Sequence, residues 1–176
     1  MKKHTCKLLA IALLTPLLLF MVGCTENTET KVQDENIQTT EAVLQNALTG
    51  PDDELKEIFN SEESSIEDLL QYDKDHFEDY FANETSYMEF VNNNNGSGIL
   101  IEAMKYDYNF KVKNIEYEKT ESEEIIYDFT IELQYQKEGS ELSEVETVTG
   151  QANLNEEHRI EDMLIRIGDF LGSLNN

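Results

Sequence analysis

Two cysteines, Cys6 and Cys24, are the only thiols in this chain, and the 152 residues after Cys24 contain none. Everything that follows is therefore without an internal disulfide, a thiolate metal site or a cysteine nucleophile. Basic residues are also scarce, with 13 Lys and Arg against 37 Asp and Glu and a net charge of -24. A phosphate backbone is held by clustered Lys and Arg, so nucleic acid is not an expected partner. Anionic lipid is not expected to attract such a chain electrostatically either. Histidine is limited to His4, His76 and His158, which leaves little from which to build a zinc site or a serine triad.

No apolar run is long enough for a permanent membrane span. The longest, Leu8 to Val22, reaches about 22 Å as a helix against a hydrocarbon core of about 30 Å, and Pro16 interrupts it. Lys2, Lys3 and Lys7 precede this run, and Met21-Val22-Gly23-Cys24 closes it. A basic start, a short apolar middle and a small residue before the end make a signal peptide. Removal of residues 1–23 takes away three lysines and no acid, so the charge falls from -24 to -27. A surface this acidic is expected to be a solvated one that keeps the domain soluble.

Residues 25–38, TENTETKVQDENIQ, have only Val32 and Ile37 as apolar side chains, and with residue 24 they are expected to form a disordered tether. The remaining residues, 39–176, suffice for one domain with its own core. Ala42, Val43, Leu44, Ala47 and Leu48 predict a first helix, with Thr39 or Thr40 as its N-cap. Gly50-Pro51-Asp52-Asp53-Glu54 predicts a stop and a new start, with Pro51 in the first turn of the second helix. Leu55, Ile58 and Phe59 are the expected buried stripe of that helix, and Ile66, Leu69 and Leu70 that of a third. Phe77, Tyr80 and Phe81, then Tyr87, Phe90 and Val91, predict one or two more. Asn92 to Gly98 is expected to end the helical half.

Beyond that run the apolar period changes to two. Tyr106, Tyr108, Phe110 and Val112 alternate, and Ile115 and Tyr117 continue one residue out of phase, as a bulge near Lys113-Asn114 would produce. Ile125, Tyr127, Phe129, Ile131, Leu133 and Tyr135 alternate without a fault. Lys137 to Ser140 supplies a turn, Val148, Gly150, Ala152 and Leu154 the next inward face, and Asn155 to His158 a hairpin connection. Residues 160–167 fit either a strand or a helix. A strand to about Ile167 followed by a short helix from Gly168 is preferred, because it completes a four-stranded antiparallel sheet.

The Met21-Val22-Gly23-Cys24 stretch resembles a lipobox, in which the cysteine receives diacylglycerol before cleavage. With Leu48-Thr49-Gly50-Pro51-Asp52 between two helices and the alternating strands from Tyr106 to Leu154, the chain resembles small lipoproteins of Gram-positive bacteria. Their layout of helices followed by a meander is similar to the NTF2-like or cystatin-like α+β cone. The resemblance implies lipidation of Cys24, anchoring at the outer face of the cell membrane, and an α+β fold with N-terminal helices packed on a four-stranded antiparallel sheet.

Asp73, Asp75, His76, Glu78 and Asp79 form the densest group of potential ligands. Counted as a calcium loop from Asp73, the segment has Glu84 at the twelfth position, but Phe77 and Glu78 stand where an oxygen ligand and a turn-forming glycine belong. The segment is instead expected to be a solvated helix start in which Asp73 or Asp75 is the cap, with no metal or cofactor. The strand aromatics, from Tyr106 to Tyr135, either fill a core or line a cone-shaped cavity. The expected function is a lipid-anchored extracytoplasmic binding or interaction module for a protein or small ligand. The alternative is a carboxylate-dependent enzyme, which would need an acid facing the aromatic interior.

Overall fold

The computed structural model describes residues 34–93 and 95–175; the predicted leader, Cys24 and the next nine residues of the predicted tether lie outside them. The domain is α+β, with helices followed by a four-stranded antiparallel sheet.

The predicted tether gives way to ordered structure before residue 38. Helix α1 (Glu35–Leu48) begins inside it, and the carboxylate of Asp34, not Thr39 or Thr40, caps it by accepting from the Asn36 amide at 3.0 Å. Tertiary contacts explain the difference. The Tyr127 hydroxyl donates to Asp34 from across the domain, Asn36 is buried, and Ile37 packs on the core. Composition alone sees none of these partners. Thr40 is buried inside the helix, where its hydroxyl donates to the Asn36 carbonyl at 2.9 Å.

Pro51 lies outside helix α2 (Asp53–Asn60) and follows a cis peptide bond; Asp52 is the N-cap and accepts from the Leu55 amide at 2.8 Å. Gly50 exchanges two backbone hydrogen bonds with Phe110, of 3.0 and 2.8 Å, which stitches this turn to the first strand. Its φ of +141°, and a distance of 3.0 Å from any added Cβ to the Asp52 nitrogen, explain the glycine. Helix α3 (Ile66–Phe77) starts at a Ser65–Asp68 capping box. A single 3-10 turn (Glu78–Tyr80) leads to helix α4 (Glu84–Asn92), capped by Asn83.

The Asn- and Gly-rich run does not end the helical half. It turns through Gly96 at φ +60° into helix α5 (Ser97–Met104). This helix is short and apolar on most sides, with Ile99, Leu100 and Ala103 buried, so it has no amphipathic period to read. Tyr106 also belongs to the turn after α5, because the first strand begins two residues later.

The sheet is a meander of β1 (Tyr108–Lys119), β2 (Ile125–Lys137), β3 (Ser143–Leu154) and β4 (Ile160–Arg166), in that spatial order, followed by α6 (Gly168–Ser173). The expected bulge is present, with the β1–β2 register shifting between Val112 and Asn114. One face carries Phe110, Tyr127, Phe129, Ile131, Leu133, Val148, Met163 and Ile165, all buried. Helices α1 and α5 pack near β1, and α4 near β4. The Phe129 ring lies over Gly150, its cross-strand partner, so that a Cβ on Gly150 would come within 2.2 Å of the ring.

Candidate functional site

Side chains fill the face of the sheet that could have formed a cavity. Tyr127 and Phe129 are buried in it, Phe110 and Tyr135 pack against Phe170 of α6 at ring-centroid distances of 5.8 and 4.9 Å, and Phe77, Phe81, Tyr87 and Phe90 form a second aromatic cluster between the helices. The strand aromatics with buried rings are core, which is what a ring of this size does best.

One acid does face inward. Asp73, expected to begin a helix in solvent, lies well inside α3, shares its buried stripe with Tyr72 and Phe77, and is 3% exposed. Its Oδ1 accepts from the Ser97 amide at 2.9 Å, and thereby caps α5, whose own N-cap residue, Gly96, has no side chain to offer. A Cβ on Gly96 would sit 3.0 Å from that oxygen. Burial pushes the Asp73 carboxyl above its ordinary range, and the Ser97 amide opposes this. The positive end of α5 also favours the charge. The residue acts as a structural cap for α5. The sequence hint was an acid within an apolar stripe; the partner lies 24 positions away, beyond local reading.

The rest of the acidic group disperses. Asp75 accepts from Gln71 at 2.7 Å, and Glu78 stands 3.7 Å from Lys74. Glu84 is in the first turn of α4. Among the described residues, no three His, Cys, Asp or Glu side chains converge as a metal site would require. His76 stacks on Tyr72 at 4.0 Å and lies 3.8 Å from Asp52, which also accepts from the Tyr72 hydroxyl at 3.1 Å; this group fastens α2 to α3. Burial first, then the Asp52 charge, pushes the Tyr72 hydroxyl well above its ordinary range, so it stays protonated and donating. His158 joins the start of α1 to the β3–β4 hairpin, with its Nδ1 2.9 Å from Asn36 Oδ1 and its Nε2 3.0 Å from Glu35. Neither histidine has a serine or threonine hydroxyl among these partners.

The expected stripes of α2 and α3 are largely uncovered. From residue 52 to 71 only Leu55 is buried. Phe59 is 41% exposed, Ile66 62% and Leu70 44%. Phe59 and Ile66 rim a groove of about 330 Å³ between the two helices, floored by Leu55, Ile58, Leu69 and Ile101. A second depression of about 380 Å³ adjoins it, shares Ile58, Ser61 and Ser64 with it, and is lined by Glu54, Glu57, Glu63 and Asp68. Sequence periodicity found these apolar positions and assigned them to the core, because a stripe has the same period whether or not anything covers it.

Among the described residues no helix is long and apolar enough to cross a membrane. No protein-family model matches the chain, and no curated protein matches it either.

Proposed function

We propose that this protein is a lipoprotein anchored through Cys24 at the outer face of the cell membrane, and that its α+β domain is an interaction module that makes contact through the α2–α3 surface. The anchoring half of the reading rests on the leader that ends at Met21-Val22-Gly23-Cys24. The observation that carries the other half is that the sheet interior is filled while α2 and α3 leave Phe59, Ile66 and Leu70 in solvent. Apolar side chains exposed together beside a groove mark a contact surface, whereas single ones scattered over a surface need no explanation. The enzyme reading needs an acid facing a cavity, and the buried acid of this domain, Asp73, is committed to the start of α5.

Mass spectrometry of the membrane fraction, with protease shaving of intact cells, tests the anchoring. The expected result is a chain that begins at an acylated Cys24 and is digested from outside, and a Cys24→Ala chain that lacks the acyl mass and the cleavage. An intact leader without acyl mass on wild-type protein contradicts it.

A further inference from the structure

We infer that the α2–α3 groove takes a basic amphipathic segment of a partner protein, with apolar side chains seated beside Phe59 and Ile66 and Lys or Arg side chains over the adjoining acidic depression. This rests on the interaction-module reading and names the chemistry of the partner.

Charge and shape together choose the occupant. The groove is lined mostly by apolar side chains, while Glu54, Glu57, Glu63 and Asp68 line the depression next to it. From Asp52 to Asp68 the chain has eight acids against a single lysine, Lys56. That lysine does not line the acidic depression; it lines another one, on the far side of Phe59, with Asp107 and Glu138. Of the eight acids, Asp52 is engaged with Leu55 and Tyr72, and Asp68 with Ser65. Lys56 is the one cation on this stretch, so a partner must bring its own. A helix with one apolar and one basic face meets both depressions at once, in the way amphipathic helices occupy grooves.

The other occupants meet the same acids and are repelled. A second copy joined through this surface by two-fold symmetry would set acid against acid. An anionic lipid surface is repelled for the same reason. The tether offers, in residues 25–33, two acids, one lysine and a single apolar side chain, Val32. The basic, apolar leader is lost when the chain is cleaved before Cys24.

The test uses the lipidated protein in phosphatidylcholine nanodiscs, with empty discs subtracted, and four labelled peptides of about 14 residues, four helical turns each. One has leucines on one face and lysines on the other. The second has the same composition in scrambled order, the third has glutamate for lysine, and the fourth glutamine for lysine. Fluorescence anisotropy should show saturable binding of the first peptide only, weakening as salt shortens the screening length. Phe59→Ser with Ile66→Ser should abolish it. Glu57→Gln with Glu63→Gln should weaken it about tenfold while circular dichroism stays unchanged. Equal binding of the scrambled peptide, or indifference to Phe59→Ser and Ile66→Ser, overturns the groove as the site. Tight binding of the glutamine peptide overturns the basic chemistry but leaves an apolar interaction surface standing. Binding of none of the four overturns the inference, and dimerisation lost in Phe59→Ser would assign the groove to a second copy.

Discussion

Phe129 and Phe59 are the same side chain in opposite circumstances. Phe129 is 2% exposed, sits midway along β2 and lies against Gly150, whereas Phe59 is 41% exposed at the end of α2. The difference runs through the two halves of the molecule. In the sheet half, alternation and burial agree along the inner face, where Phe129, Ile131, Leu133 and Val148 are buried, while Val145 and Leu164 are exposed on β3 and β4. In the α2–α3 region apolar and buried are separate properties, and an acid, Asp73, occupies a core position. Folding explains the buried face of the sheet. The exposed apolar side chains of α2 and α3 are the ones the proposed contact surface would use.

The largest expected effect is at Phe129. Phe129→Ala should destabilise the mature protein by about 3–5 kcal/mol, as removal of a fully buried ring does, and Phe59→Ala by far less. Urea denaturation of the two variants checks this, and equal midpoints would erase the contrast between the halves. Gly150→Ala probes the same point from the other strand. The added Cβ would meet both the Phe129 ring and the Leu164 carbonyl oxygen at 2.2 Å, and the second is backbone that cannot swing away. A loss of about 3 kcal/mol is expected, and a midpoint unchanged from wild type would show that β3 has room there.

The sheet was legible because its period is short and its partners are neighbours. The β2 alternation and the bulge after Val112 could be read from local order, whereas local order left residues 160–167 open and the strand followed by a helix at Gly168 was preferred because it completes the sheet. The start of α1, the α5 helix and the role of Asp73 could not, because each depends on residues distant in sequence: Tyr127 for Asp34, and Ser97 for Asp73. The candidate contact surface was half legible. Leu55, Ile58, Phe59, Ile66, Leu69 and Leu70 could be picked out as stripes, but periodicity does not report what lies opposite them.

Asp73 separates the roles of charge and hydrogen bond in the helical half. Asp73→Ala removes the acceptor of the buried Ser97 amide and should cost about 1–3 kcal/mol. Asp73→Asn keeps an oxygen there and removes the buried charge, so at pH 7 it should be at least as stable as wild type. The pH dependence has a definite sign. Because burial raises the folded Asp73 pKa above its ordinary 3.8, the native state binds this proton more tightly. Its stabilising contribution is present in acid and is lost as pH rises from 3.8 through the raised value. Asp34 acts in the opposite sense. The Tyr127 hydroxyl holds it below 3.8, so its contribution is present above that pH and is lost as pH falls through the lowered value. Denaturation midpoints from pH 3 to 7 should lose the Asp73 component in Asp73→Asn, and an identical profile in that variant would show that the carboxylate is not effectively buried.

The smallest effects complete the contrast. Ile66→Ser and Thr130→Ala, the second on the solvent face of β2, should each shift stability by no more than about 0.5 kcal/mol, and Phe59→Ser, at a side chain more than half buried, by more than these but well below Phe129→Ala. Calorimetry that found a large loss for Phe59→Ser or Ile66→Ser would make these residues part of the core after all.

The most direct measurement is site-specific photo-crosslinking on intact cells, with a photoreactive amino acid placed at Phe59 in one strain and at Thr130 in another. A contact surface on α2–α3 predicts a discrete crosslinked species from the Phe59 position, lost when Ile66→Ser is added, and no discrete species from Thr130. Discrete species from Thr130 alone, or from neither position, would contradict it.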